Sequence, residues 1–257
     1  MLTARQQREQ EYYDAFSRDK SRIEVNFDPV NDREQRPWNP YWYQFGCVKD
    51  AYKPGARLLD FGCGWGENSV VFAKMGYDVE GFDISEVNLQ AARALGEKYG
   101  LADRLHFSSQ TAEDLDFRDQ SFDVVAGVDI LHHVEIGPAL AECRRVLKPG
   151  GLAIFKEPVE NAVFDRVRNL GLMQRVFPKS PSFDRHITAD EKKLTARDVR
   201  IIKRVFPRLE IRSFRILSRL DRFMPVAGGI LEKLDYLGCL LPGFASLCGS
   251  IVLAGRR

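Results

Sequence analysis

Leu58-Leu59-Asp60-Phe61-Gly62-Cys63-Gly64-Trp65-Gly66 decides the fold of this chain. An apolar run stops at an acid and opens into glycines at alternate positions, and helix-compatible residues follow from Glu67. A buried strand, a tight turn and a helix whose N-terminal amides face the turn give that pattern. Glycine suits such a turn because a Cβ would oppose positive φ and keep a ligand away from the backbone. The dinucleotide fingerprint G-x-G-x-x-G is not met. Counted from Gly62 its third glycine falls on Glu67, and counted from Gly64 it falls on Ser69. Glu67 would also place a carboxylate where a pyrophosphate sits.

The residues downstream keep the same rhythm. Asp78-Val79-Glu80-Gly81-Phe82-Asp83-Ile84 reads as a second strand ending in an acid, 17 residues after Gly66. That is close to the roughly 20-residue interval at which such folds set a carboxylate on ribose hydroxyls. Phe122 to Val128 is a further buried strand that runs into Asp129-Ile130-Leu131-His132-His133-Val134. A helix through Arg144-Arg145-Val146-Leu147, the turn Lys148-Pro149-Gly150-Gly151 and the strand Leu152-Ala153-Ile154-Phe155 follow, ending at Lys156-Glu157-Pro158. Helices are expected near 67–75, 86–99 and 137–147 and a strand at 105–109, an alternation that implies a parallel sheet covered on both faces.

Asp60-x-Gly62-x-Gly64-x-Gly66, followed in order by "FDVV", "LHHV", "RVLKPGG" and "EP", resembles the motif series of class I S-adenosylmethionine (SAM)-dependent methyltransferases, of the small-molecule, type 11-like kind. The resemblance covers about residues 57–158. It implies an α/β, Rossmann-like, doubly wound seven-stranded sheet, mostly parallel with an antiparallel last strand, plus helical lid and cap elements. It implies SAM as cofactor, a ligand whose sulfonium and ammonium suit an acid beside the turn. The backbone of Gly62, Cys63 and Gly64 would pass against the methionine portion, and Asp60 would receive the ammonium directly or through water. Asp83 would hold the ribose, although capping the helix that starts at Ser85 is an alternative for it. Thr111, Ala112 and Glu113 would face the adenine, with Thr111 standing where the family often has an acid and Glu113 alternatively a surface charge. Ile84, Val128 and Tyr13 complete the expected cofactor set.

For catalysis, His133 or His132 is the expected base at the carboxyl edge of the sheet, since histidine titrates near neutrality. Glu157 would line the acceptor pocket or position the base. His186 is a further base candidate or a solvated surface residue. No paired-carboxylate or His-x-x-x-His spacing calls for a metal. The acceptor is expected to be a small, rather apolar molecule, methylated at oxygen, with nitrogen or carbon as alternatives. A catalytically silent SAM-binding scaffold is the reading from another class.

Composition narrows the rest. Thirty-eight basic against 36 acidic residues, net +2, give no field for nucleic acid, and Val128-Asp129-Ile130-Leu131 is not the Asn/Asp-Pro-Pro-aromatic tetrad of base methylation. Five cysteines without a C-x-x-C pair fit a reducing compartment, and no secretory signal or 18-residue apolar run appears. A cytoplasmic protein is the expectation. Residues 1–50 would form a lid, with a short amphipathic helix at Glu11–Phe16 and the aromatics Tyr12, Tyr13, Trp38, Trp42 and Tyr43. Residues 51–257 would form the SAM-binding domain, with acceptor-binding cap insertions at 158–208 and 218–248. Beyond Pro158, two helical stretches separated by Pro178–Ser182 are expected, the second opening at Thr195 and stopped by Pro207. Leu209–Leu217 and Gly249–Ala254 would be the last strands. The apolar segment 218–248 is expected to pack in the core, with an acceptor pocket, a peripheral membrane contact or a homodimer interface as its other readings.

Overall fold

A computed structural model gives the architecture of residues 2–17, 24–31, 36–160, 193–215, 228–241 and 247–257. His186, the loop expected at 178–182 and the apolar stretch Met224–Ala227 lie outside these described residues. Seven strands form one sheet: β1 Arg57–Phe61, β2 Asp78–Asp83, β3 Leu105–Ser109, β4 Phe122–Val128, β5 Leu147–Pro158, β6 Glu210–Phe214 and β7 Ser250–Arg256. Their order is β3-β2-β1-β4-β5-β7-β6. β1 pairs parallel with β2 and β4, β2 with β3, and β4 with β5, whereas β7 runs antiparallel to both β5 and β6. The doubly wound, mostly parallel sheet with an antiparallel last strand is therefore present. Strand order reverses between β1 and β4, and open α/β sheets bind ligands outside the carboxyl ends of such a switch point.

The helices are α1 Ala4–Ser17, α2 Asp28–Asn31, α3 Pro40–Asp50, α4 Glu67–Lys74, α5 Glu86–Lys98, α6 Ile136–Val146, α7 Ala196–Val205 and α8 Gly228–Gly238. Side chains alternate across each strand. Leu58, Val124, Ala126 and Ile154 therefore pack on one face against Phe45 and Val48 of α3 and Val70 and Val71 of α4. Leu59, Phe61, Val125 and Phe155 pack on the other against Leu140, Cys143 and Val146 of α6 and Ile202 of α7. This alternation sends the last charged residues of β5, Lys156 and Glu157, to opposite faces.

Several expectations change. The turn at 148–151 is taken into β5 as an irregularity: Phe122 pairs with Leu147 but Val124 with Leu152, and Gly150 has φ +75°. The N-terminal helix is longer than expected, and its apolar residues are not gathered on one face. The aromatic stretch from Pro40 is helix α3, started by Asn39, whose side chain accepts from the backbone amides of Tyr41 and Trp42. The described part of the C-terminal apolar segment is divided: Cys248 is buried and Tyr236 packs on the core, but most of its large apolar side chains do not. Ile230, Leu234, Leu237, Leu240 and Leu241 are exposed, while Asp235 is buried. The inward side of α8 makes cation–π contacts, Arg212 with Tyr236 and Lys233 with Trp38, at 4.3 and 4.8 Å.

Leu140 is wholly buried between α6 and the sheet. Leu140→Ala should lower unfolding free energy by about 2–5 kcal/mol in urea titration; a change under about 1 kcal/mol would contradict this packing.

Candidate active site

The three glycines after β1 all have positive φ, +75°, +52° and +83° at Gly62, Gly64 and Gly66, but their surroundings differ. A Cβ on Gly62 would lie 2.5 Å from the Ile130 side chain, and one on Gly66 would lie 2.7 Å from Ala92 Cβ of α5. Those two positions let the loop after β4 and helix α5 close onto the turn. A Cβ on Gly64 would meet nothing within 4 Å. Gly64 is the open cradle of the turn.

Two acids flank it, Asp60 buried and Asp83 half-buried. Asp60, 1% exposed, accepts a 2.5 Å hydrogen bond from Ser69 Oγ on α4. Burial pushes its carboxyl up to about 7, against the lowering effect of Ser69, and nearby Asp83 raises it further. Asp83 is also raised, again chiefly by burial, although three donors oppose this. They are Ser85 N and Asn88 Nδ2 on Oδ1 and Gly64 N on Oδ2, at 2.8, 3.1 and 3.1 Å. Asp83 therefore braces the glycine turn and the start of α5. Three of its roughly four lone-pair directions are used. The helix cap itself is Ser85, whose side chain accepts from Asn88 N. Cys63 N donates to Phe82 O, so its amide and that of Gly64 both point towards β2. Only the carbonyl side and the open face at Gly64 remain for the expected ligand contact.

The loop after β4 is held from β5. Glu157 is wholly buried; its Oε1 accepts from Ile130 N and Leu131 N at 2.9 and 2.8 Å, and its Oε2 lies 2.7 Å from His132 Nδ1. It does not line a pocket, and of its two expected roles positioning is the one this geometry fits. The His132 and His133 rings are 4.1 Å apart, centroid to centroid. Lys156 was not anticipated. Its Nζ lies 2.8 and 2.7 Å from the two Asp129 oxygens and 3.2 Å from Tyr41 Oη. The sequence signal was available: two charges side by side at the end of an apolar strand.

Helix α1 crosses the same edge. Gln10 Nε2 donates to Ile84 O at 2.7 Å, Ser85 Oγ to Asp14 at 2.5 Å, and Gln6 Nε2 to Glu113 at 3.0 Å. Arg5 Nη2 donates to His132 O, and Tyr13 Oη lies 3.2 Å from His133 Nε2, whose ring sits beside buried Glu9. Glu113 also accepts from Glu135 N, so its carboxylate joins α1 to the β4 loop. Thr111 bridges to Asp114, Ala112 is buried and Val128 ends β4. Tyr12 packs on Tyr13, but Trp42 stacks under Arg36 and Tyr43 packs on Phe214 of β6. With Trp38 against α8, these last three aromatics serve packing away from the glycine turn.

Residues 59–155 match the family model described as "Methyltransferase domain". This segment is similar to methyltransferase domains. Ubiquinone biosynthesis O-methyltransferase of Cereibacter sphaeroides is 37% identical to the chain over 141 residues, 53% of the chain and 56% of that protein. The Roseobacter denitrificans protein of the same description is 40% identical over 102 residues, 39% of the chain and 40% of that protein. The chain thus spans about half the length, or less, of these curated relatives. Among solved structures, geranyl diphosphate C-methyltransferase from Streptomyces coelicolor, with S-adenosyl-L-homocysteine (SAH) present, has a TM-score of 0.62 at 14% identity, covering 100% of the chain and 99% of that structure. The [4+2]-cyclase SpnF has a TM-score of 0.58 at 19% identity over 99% and 96%. At those identities the likeness shows the fold alone. The domain match indicates SAM as the cofactor of the matched segment.

The residues present fit that cofactor: the Gly64 cradle is open, and among the described residues the acids beside it have no basic side chain as a hydrogen-bond partner. Gly64→Ala should fold with about 1–2 kcal/mol of left-handed strain and bind SAH at least about tenfold more weakly. Gly66→Ala should lose stability as well, through Ala92. Thermal melts with calorimetric SAH titration separate the two, and unchanged SAH affinity in Gly64→Ala would contradict the cradle.

Proposed function

We propose that this chain transfers a methyl group from SAM to a hydroxyl oxygen of a small, rather apolar acceptor. The observation that carries the reading is the open Gly64 cradle between buried Asp60 and half-buried Asp83, inside the matched segment. The O-methyltransferase relatives favour oxygen over nitrogen or carbon.

When bound, SAM supplies a methyl group already activated by its sulfonium, so the protein's work is placement and exclusion of water. Gly64 leaves room for the methionine portion, and Asp60 as carboxylate takes the ammonium. The lone-pair direction left on Asp83 takes a ribose hydroxyl, with Ile84 alongside. Thr111 and Ala112 flank the adenine, and Val128 closes the β4 side. Glu113 and Tyr13 act through α1, which lies over the ligand as a lid and keeps water out. His132 receives the acceptor's proton. Its Nδ1 is fixed by Glu157, which holds the ring with Nε2 on the opposite side. His133, tied to Tyr13, couples that base to the lid. Proton removal of this kind is worth typically 10²–10⁴-fold.

A second reading, a SAM-fold protein that transfers no methyl group, is favoured by one observation: a protein described as a [4+2]-cyclase has this fold. The pH dependence of binding and SAH release from SAM test the two readings together. Because the folded-state pKa of Asp60 is raised to about 7, the folded protein holds this proton up to about pH 6; its contribution to stability is complete below about 4 and is lost as pH rises through 7. Ammonium binding needs the carboxylate, so SAH should bind about tenfold more tightly at pH 8 than at pH 6, an increment absent in Asp60→Asn. Parallel pH profiles would remove Asp60 from the site. SAH release from SAM with simple phenols or alcohols, lost in His132→Ala, supports methyl transfer; SAH binding without release from any acceptor supports the second reading.

A further inference from the structure

Lys156, Asp129 and Tyr41 form a polar cluster that the cofactor does not use. Lys156 stands on β5 in register with Val128 of β4, one residue before Glu157, and its side chain points to the α3 face. Its side chain is 6% exposed, whereas that of Asp129 is 37% exposed, so the carboxylate is the open half of the pair. Burial alone would lower the Lys156 ammonium, but Asp129 and Tyr41 outweigh it and raise it. Lys156 is therefore a fixed cation with its protons already placed. It reaches both Asp129 oxygens and Tyr41 Oη, and lies 4.4 Å from the Tyr41 ring centroid. Tyr41 in turn donates to Asp129 Oδ2 at 3.3 Å. Asp129 Oδ2 thus takes two donors and Oδ1 one, which leaves acceptor capacity on Oδ1.

The backbone marks the same place. Asp129 has φ +53°, a left-handed conformation in which strain is held by its surroundings, here by the 2.8 Å bond from Asp129 N to Lys156 O. The next residue, Ile130, presses its side chain on Gly62, so the carboxylate stands beside the glycine turn at the carboxyl edge. One turn deeper on α3, Gln44 donates to Gly127 O while its buried Oε1 has no hydrogen-bond partner among the described residues. The ion pair is neutral as a unit, so it attracts a cation weakly. A neutral O–H donor satisfies the spare Oδ1 lone pair without adding charge to a partly buried site.

We propose that Asp129 is the acceptor-recognition residue, its Oδ1 receiving a hydrogen bond from a neutral hydroxyl of the methyl acceptor, with Lys156 and Tyr41 as positioning residues. The inference rests on the methyltransferase reading and deepens it: the acceptor presents to Asp129 a hydroxyl other than the one that is methylated.

The test is titration of SAH-saturated protein at pH 6 with 4-nitrocatechol, followed by its absorbance, and with benzylammonium as the cationic comparison. Wild type should bind 4-nitrocatechol in preference to benzylammonium. Asp129→Asn keeps one acceptor oxygen for Lys156 and Tyr41 and tolerates positive φ, so it should melt lower through the weakened Lys156 pair yet still bind SAH with unchanged affinity, and should bind 4-nitrocatechol at least about tenfold more weakly. Tyr41→Phe, which keeps the ion pair, should lose less, and its melting temperature is the control for a merely structural role. Equal 4-nitrocatechol affinity in wild type and Asp129→Asn, preference for benzylammonium, or no 4-nitrocatechol binding by SAH-loaded wild type would each overturn the proposal. Failure of wild type to bind SAH would instead overturn the reading on which it rests.

Discussion

Two consecutive residues at the end of β5 organise the active edge of this protein. Lys156 and Glu157 point to opposite faces of the sheet because strand side chains alternate, and between them they hold the whole turn from Asp129 to His132. Glu157 takes the Ile130 and Leu131 amides and the His132 ring, while Lys156 takes the Asp129 carboxylate. Ile130, so fixed, lies against Gly62, and the position of the glycine turn follows. Burying these charges is tolerable only because each has a fixed partner; removing one partner of such a pair typically costs about 3–5 kcal/mol.

The electrostatics of the edge select the ligand. Asp60, buried, and Asp83, half-buried, lie within reach of one another's field, each raised chiefly by desolvation, and among the described residues their hydrogen-bond partners are hydroxyl, amide and backbone donors rather than cations. A pyrophosphate would add negative charge to this region. A ligand with a sulfonium and an ammonium removes the repulsion. Helix α1 completes the enclosure through five polar side chains that reach the loops after β2, β3 and β4.

Much of this was legible in the sequence because it is local. The alternate glycines, the acid-ended strands and the order of the motifs gave the sheet, its topology and the cofactor. What was not legible depends on contacts between distant segments. Asp129 and Tyr41 are 88 residues apart, and no periodicity announces that Lys156 joins them. Asp83 looked like a ribose ligand or a helix cap, yet it also accepts from Gly64 N and braces the turn. Trp42 and Tyr43 looked like lid residues, but the helical pitch of α3 turns them towards Arg36 and β6. The apolar residues of α8 suggested core, because composition does not reveal that the buried side of that helix carries Asp235.

Amide hydrogen exchange of the protein with and without saturating SAH tests the central claim most directly. The account predicts slowed exchange in three separate segments, 62–66, 83–88 and helix α1 at 4–17, with little change in β6 and β7. Protection confined to other segments, or none despite measured SAH binding, would contradict a cofactor site at the glycine turn beneath an N-terminal lid.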